Sequence, residues 1–403
     1  MEPDQDQKPD ENQPPKDEHE LPEALKAQLS EQPPDSPASD LPEHAADAPL
    51  PRTEQLILPP KRRGGPLLIG LLIVVLLAGA GVTFYYWNKH KDKTNSAPAA
   101  QTIPAQKTTQ SSTVQGLQLD PNKNYGNKYA SGILPVGDND YSTSTPKAGT
   151  VYACSGYANN LTSNQGGAMT RGPWFVGTTQ WNINKKLHVQ GAVTWQASFS
   201  NKVSGATRTI ITNDLPDHTT GVFPISPSDP AYAYDRNPNS IKGQTFTYAL
   251  NASPSYGDPT CIGGQVGIML TGVALFSAFD AGGRDAGAWE VQDSCQGHPQ
   301  SDGIYHYHTL SSCIKDTSVK TVIGYALDGF PITGPQVGTG NVLTTSDLDA
   351  CHGLTSQIVL DGKNVTMYHY VMTEDFPYSV SCYRGTAIQP PGQNAAAQAP
   401  QHP

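Results

Sequence analysis

Several signatures of familiar chemistry are missing from the 403 residues of this chain. There is no Gly-x-Ser-x-Gly elbow, no phosphate-cradling glycine loop and no His-Glu-x-x-His, so no motif forces an enzymatic reading. No Cys-x-x-Cys pair occurs either, which argues against cysteine ligation of a metal. Cysteine and aromatic residues are both absent from residues 1–60, which carry 15 Asp/Glu against 4 Lys/Arg together with 13 prolines. A segment of that kind cannot bury enough apolar surface to fold and is expected to be a disordered acidic tail. Removing its share from the totals of 36 acidic and 26 basic residues leaves 21 and 22, so the net charge of −10 belongs to the tail. No basic field remains to hold phosphates, and nucleic-acid binding is not expected.

Beyond the tail lies a charge-free run from Gly65 to Trp87, preceded by Lys61, Arg62 and Arg63 and closed by Phe84, Tyr85, Tyr86 and Trp87. More than twenty apolar residues with an aromatic end suit a bilayer span, and residues 61–93 read as an uncleaved transmembrane anchor with basic flanks. Lys89, Lys91 and Lys93 nearly balance the basic residues on the near side, so charge does not orient it. Cysteine placement does: Cys154, Cys261, Cys295, Cys313, Cys351 and Cys382 all lie beyond the anchor, an even set that fits an oxidising exterior and a cytoplasmic N-terminus. Residues 94–118 read as a Ser/Thr/Pro stalk, 119–385 as one extracytoplasmic domain, and 386–403 as a second disordered tail.

Within the domain the pattern is strand-like. In Leu187–Phe199 the odd positions are largely apolar, the period of a half-buried strand or hairpin, and "IVLDGKNVTMYHYVM" predicts a hairpin turning at Asp361-Gly362. A short helical turn is expected near Thr344–Cys351, with Ser346 as cap. The expected fold class is all-β, an antiparallel sandwich or distorted barrel. An internal duplication is legible as well. Leu270-Thr-Gly272, Asp293-Ser-Cys295-Gln-Gly297-His298 and Tyr305-His-Tyr-His308 are echoed in order by Leu327-Asp-Gly329, Asp349-Ala-Cys351-His352-Gly353 and Tyr368-His-Tyr-Val371. The two copies are expected to face each other about a pseudo-twofold axis with their Tyr-His-Tyr strands close together.

Gly267–Gly385 resembles the YHYH domain family, whose label is the motif at Tyr305–His308. The resemblance is carried also by "GRDA" (Gly283–Ala286), "DSCQGHPQSDGIYHYH", "GYALDGFPITGP" (Gly324–Pro335) and "FPYSVSCYRG" (Phe376–Gly385). It implies an extracytoplasmic domain attached to or exported from cells, and it brings no agreed biochemical activity. The second copy departs from the pattern, with His352 before Gly353 and Leu354 after it.

On an extended strand His306 and His308 share one face while Tyr305 and Tyr307 share the other. Two imidazoles so placed stand about 6.5–7 Å apart along the strand, within reach of one ion. The candidate metal ligands are therefore His306 and His308, His369 from the second copy, and His298 from the preceding loop, a nitrogen-rich set suited to copper(II) or zinc. Asp293, Asp302 and Asp349 are candidates to orient the rings. Three function classes stand: a surface-anchored metal-binding module, a disulfide-braced binding or adhesion domain without an ion, and a metal-dependent enzyme of unassigned substrate in which Arg284, Asp285, Asp328 or Glu374 assists. The duplication favours the pairs Cys295 with Cys313 and Cys351 with Cys382, leaving Cys154 with Cys261.

Overall fold

The computed structural model describes residues 115–163 and 169–392. The expected tail, the anchor over residues 61–93, most of the stalk and residues 393–403 lie outside the described residues. Among the described residues no helix is long and apolar enough to cross a membrane.

The described chain is built almost wholly of short strands. Ile133–Pro135 (β1), Tyr141–Ser142 (β2), Val151–Tyr152 (β3), Phe175–Val176 (β4) and Gln180–Asn182 (β5) form two small sheets, β1-β5-β4 and β2-β3. Phe199–Ser204 (β6), Thr207–Thr212 (β7) and Phe246–Asn251 (β8) form an antiparallel meander in the order β6-β7-β8. Then come Gln265–Met269 (β9), Ala274–Phe276 (β10), Gly297–Pro299 (β11), Tyr305–Tyr307 (β12), Val322–Ala326 (β13), Pro331–Thr333 (β14), Gln336–Gly338 (β15), Asn341–Val342 (β16), Gly353–Leu360 (β17) and Lys363–Val371 (β18). Two short α-helices, Ser155–Thr162 (α1) and Ala286–Trp289 (α2), interrupt them.

Eight of these strands make one sheet in the order β11-β12-β10-β9-β13-β14-β18-β17. Read from either end the order is the same: an edge strand pairs antiparallel with a Tyr-His-Tyr strand, which pairs parallel with a third, which pairs antiparallel with a fourth. The two fourth strands, β9 and β13, meet antiparallel at the centre, where Ile268 faces Tyr325. The duplication is thus a pseudo-twofold one, with its axis between β9 and β13. The expected closeness of the two Tyr-His-Tyr strands is overturned. β12 and β18 are separated by five inter-strand steps, roughly 24 Å.

All-β architecture holds, but the sheet is open, with β11 and β17 as edges, and it is not a barrel. Nor is it purely antiparallel. In each copy a long connection that includes the edge strand separates the third strand from the Tyr-His-Tyr strand, which permits the parallel pairs β10/β12 and β14/β18. Every residue of β9, β10, β11, β12 and β14 is buried, as expected of strands covered on both faces. One cover is the β6-β7-β8 meander, whose strand β8 alternates buried and exposed positions. It is pinned by Arg208 on β7, whose guanidinium lies 4.2 Å from the Tyr325 ring on β13 and 2.7 Å from the Asp361 carboxylate.

The hairpin at Asp361-Gly362 forms where expected, both residues having positive φ (49° and 76°), the backbone of a type I′ turn. The helical turn is a 3-10 turn at Thr345–Asp347 capped by Thr344 rather than Ser346. The strand expected over Leu187–Phe199 does not form. Only Val189 and Val193 make isolated bridges, to Asp293 and Thr220, before β6 starts at Phe199. Its alternation reflects extended chain laid against the sheet, with its partners far off in sequence.

Gly329, in the turn between β13 and β14, has φ of +91°, and a Cβ there would stand 2.3 Å from the backbone oxygen of Asn251. Gly329→Ala therefore meets both left-handed backbone strain and immovable main chain. Its cost is expected to be about 2–5 kcal/mol, read as a fall in the urea unfolding midpoint.

Candidate metal centre

The Tyr-His-Tyr strands are held by their tyrosines. Asp293 Oδ1 accepts from the backbone N–H groups of Cys295 (2.9 Å) and Gly297 (3.2 Å), folding the Asp-x-Cys-x-Gly turn, while its Oδ2 accepts from the Tyr305 hydroxyl (2.8 Å). The Tyr305 ring lies over Gly297, where a Cβ would sit 2.2 Å from it. The second copy repeats this: Asp349 Oδ1 accepts from Cys351 N (2.9 Å), Gly353 N (2.9 Å) and the Tyr368 hydroxyl (3.1 Å), and a Cβ on Gly353 would stand 2.3 Å from that hydroxyl. The inner tyrosines tie down the β-turn of their own copy, Tyr307 to Thr271 (3.3 Å) and Tyr370 to Asp328 (2.6 Å). Arg384 pairs with Asp349 at 3.1 Å.

With the tyrosines committed to that face, the histidines are delivered to the other. His298 on β11 stands directly opposite His306 on β12, and His308 follows on the same face. Ring centroids of His298 and His306 are 4.5 Å apart, and those of His306 and His308 4.8 Å. All three side chains are buried, and one ligand atom from each falls within 4.8 Å of the others. Phe276 stacks on His306 at 4.1 Å and closes one side.

The hydrogen-bond pattern assigns the protons. Nδ1 of His306 faces the Ile304 carbonyl at 3.1 Å and Nδ1 of His308 faces the Ser277 carbonyl, so each Nδ1 is the donor and each Nε2 carries a lone pair. Those two Nε2 atoms are 3.0 Å apart. Two lone pairs at that separation repel unless a cation lies between them. Burial holds His306 well below its ordinary pKa and lowers His308 to about 4, so a shared proton is disfavoured at neutral pH.

A fourth group completes the set. Glu290, which follows α2 directly, places Oε2 3.3 Å from His298 Nε2 and 3.2 Å from His308 Nε2. Neither Glu290 Oε2 nor His298 Nε2 makes an aligned hydrogen bond, although both atoms are buried. Burial alone would raise the Glu290 pKa, but the charge that His298 can carry beside it outweighs this and lowers it. Burial likewise opposes charge on His298, where Glu290 outweighs it and raises the pKa. His298 Nδ1 lies 3.4 Å from the side-chain amide of Asn237, which also donates to the Pro299 carbonyl at 2.9 Å. Three imidazoles and one carboxylate oxygen thus meet here, with Nε2 lone pairs assigned to His306 and His308 by their Nδ1 partners.

The remaining candidates lie elsewhere. His369 is at the far end of the sheet with both ring nitrogens occupied, Nδ1 by Thr333 Oγ1 (3.0 Å) and Nε2 by Ser356 Oγ (2.8 Å). At the other positions of the set the second copy carries Leu354 opposite His369 and Val371 for His308. His352 is the counterpart of Gln296, not of His298: both residues have positive φ (69° and 60°) in matching turns, and His352 Nε2 pairs with Thr373 Oγ1 at 3.0 Å. Asp293 and Asp349 serve the turns and their tyrosines rather than the imidazoles, and Asp302 lies on the exposed rim of the cavity above the cluster. Glu290 carried no sequence signal, since a lone glutamate eight residues before His298 resembles any surface acid.

The disulfides are Cys154–Cys261, Cys295–Cys313 and Cys351–Cys382. The last two bracket the two Tyr-His-Tyr strands, as the duplication suggested. His218 lies close to Cys295 and Cys313, but both sulfurs are spent in their bridge.

A sequence model of the family described as YHYH protein matches residues 245–342, which take in β9 to β14 and all four members of the cluster. The chain therefore carries a YHYH domain, the family its motifs resemble. No curated protein and no solved structure shows significant similarity to it.

Burial lowers the pKa of His352 from 6.5 to about 3. The unfolded chain then takes up a proton that the folded chain refuses, so this residue's contribution is present above pH 6.5 and is lost as pH falls toward 3. Unfolding midpoints in urea are expected to fall between pH 7 and 4. His352→Asn, which tolerates the left-handed backbone, is expected to flatten that fall by up to about 3 kcal/mol. Parallel curves for the two proteins would show that His352 does not enter the folded state neutral.

Proposed function

We propose that this chain is a single-pass membrane-anchored protein whose extracytoplasmic YHYH domain holds one transition-metal ion, copper(II) or zinc, on His298, His306, His308 and Glu290. The observation that carries the reading is the pair of Nε2 lone pairs 3.0 Å apart, locked toward each other by backbone carbonyls behind them, with a buried carboxylate oxygen alongside that makes no aligned hydrogen bond. A tetrahedral ion with bonds of about 2.0–2.1 Å needs its ligand atoms about 3.3–3.4 Å apart; three of the separations here are 3.0–3.3 Å, and the imidazole atoms all lie within 4.8 Å of one another. Three imidazoles and one carboxylate suit copper(II) and zinc better than magnesium or calcium, which prefer all-oxygen sets. The anchor over residues 61–93 and the placement of the domain outside the cytoplasm rest on the hydrophobic run and on six cysteines paired in three disulfides.

The purified full-length chain is expected to take up one equivalent of copper or zinc by elemental analysis. His306→Ala should abolish uptake, and Glu290→Gln should weaken it by roughly 10–100-fold. His369→Asn should leave it unchanged, because that residue sits at the far end of the sheet. Full uptake by His306→Ala would overturn the reading. Retention of the chain in membranes through alkaline carbonate washing tests the anchor separately.

A further inference from the structure

The four ligand atoms form the floor of a cavity of about 680 Å³, a volume in the range of small-molecule sites. Its lining grades from buried at the floor to exposed at the rim. Phe276 and Phe279 wall the floor beside the imidazoles, while Asn239, Gln300 and Asp302 stand nearer the rim.

Among the described residues no lysine or arginine lines the cavity and Asp302 adds a carboxylate at its rim, so the one positive charge offered to an anion is that of the floor, where the proposed ion already faces Glu290. A cationic ligand is little better served. Of the three carboxylates in the wall, Asp280 is already paired with Arg284 at 2.6 Å and Glu290 faces His298 and His308, which leaves only the exposed Asp302. What remains is an arrangement of side-chain amides and one free carboxylate above aromatic rings. Each amide both donates and accepts, which is the complement of hydroxyl groups, and the rings offer flat apolar surface to C–H groups. Among the described residues the side chains of Gln300 and Asp302 make no protein hydrogen bond, so their polar atoms are open to a ligand.

From this geometry we infer that the cavity binds a neutral polyhydroxylated ligand, a saccharide of one to three rings, above the metal set. The assignment rests on the metal reading for the chemistry of the floor, but the residues that select the ligand are separate from those that hold the ion. Among the described residues Gln300 and Asp302 make no hydrogen bond or ion pair to the three imidazoles or to Glu290, so changing them is expected to alter the ligand site alone.

The test titrates the purified full-length chain, loaded with copper or zinc, with neutral mono-, di- and trisaccharides beside their uronate and sulfated counterparts, by calorimetry. Metal content is measured on the same samples. At least one neutral saccharide is expected to bind. Gln300→Ala and Asp302→Ala are each expected to weaken it by about fivefold to tenfold, the worth of one hydrogen bond, with metal content unchanged. One equivalent of metal with no response to any neutral saccharide, or with response only to the anionic ones, overturns the cavity assignment and leaves the metal reading standing. A neutral saccharide that binds with the two variants as expected, in a chain that takes up no metal, does the reverse.

Discussion

The alternation of side chains along one three-residue strand governs this domain. Because neighbours on β12 point to opposite faces, the Tyr-His-Tyr-His sequence cannot serve one purpose: its tyrosines go to a buried face and its histidines to a cavity. The tyrosine face is the structural one. Tyr305 lies across Gly297 to reach Asp293, and Tyr307 reaches Thr271, so each hydroxyl binds the strand to a turn of its own copy. Buried phenols without such partners would be costly, and the turns would lose the acceptors that shape them.

Duplication repeats the tyrosine face and discards the histidine face. Tyr368 and Tyr370 reproduce the bonds of Tyr305 and Tyr307, to Asp349 and Asp328. In contrast, the positions of His298 and His308 are taken by Leu354 and Val371, and the imidazole that survives, His369, is fully bonded to Thr333 and Ser356. The same backbone thus supports a satisfied, inert histidine at one end of the sheet and three imidazoles forced together at the other. In the first copy Phe276 takes the place of Thr333 and stacks on His306 instead of hydrogen-bonding to it.

Disulfides reinforce the two units separately. Cys295–Cys313 closes a loop of 18 residues around β12, and Cys351–Cys382 one of 31 around β18. Each bridge restricts the unfolded chain around its Tyr-His-Tyr strand. Cys154–Cys261, spanning 107 residues, ties the small N-terminal sheets to the start of β9.

Much of this was readable in the chain itself. Local chemistry settled the Asp361-Gly362 turn, the ordered landmarks of the duplication, the cysteine pairs that accompany it, and the sharing of one face by His306 and His308, because each depends on residues adjacent in sequence or repeated in it. Strand order did not emerge from such signals. Whether β12 lies beside β18 or five strands away depends on which edges pair, a non-local choice that the amino-acid pattern leaves open, and for that reason His369 looked like a ligand. Glu290 was hidden for the same reason: only the path of α2 and the parallel pairing of β10 with β12 carry that carboxylate to the imidazoles. The residue types able to bind an ion were thus written in the sequence, and the tertiary structure alone decided which of them share a point in space, since ligand convergence is set by long-range strand pairing.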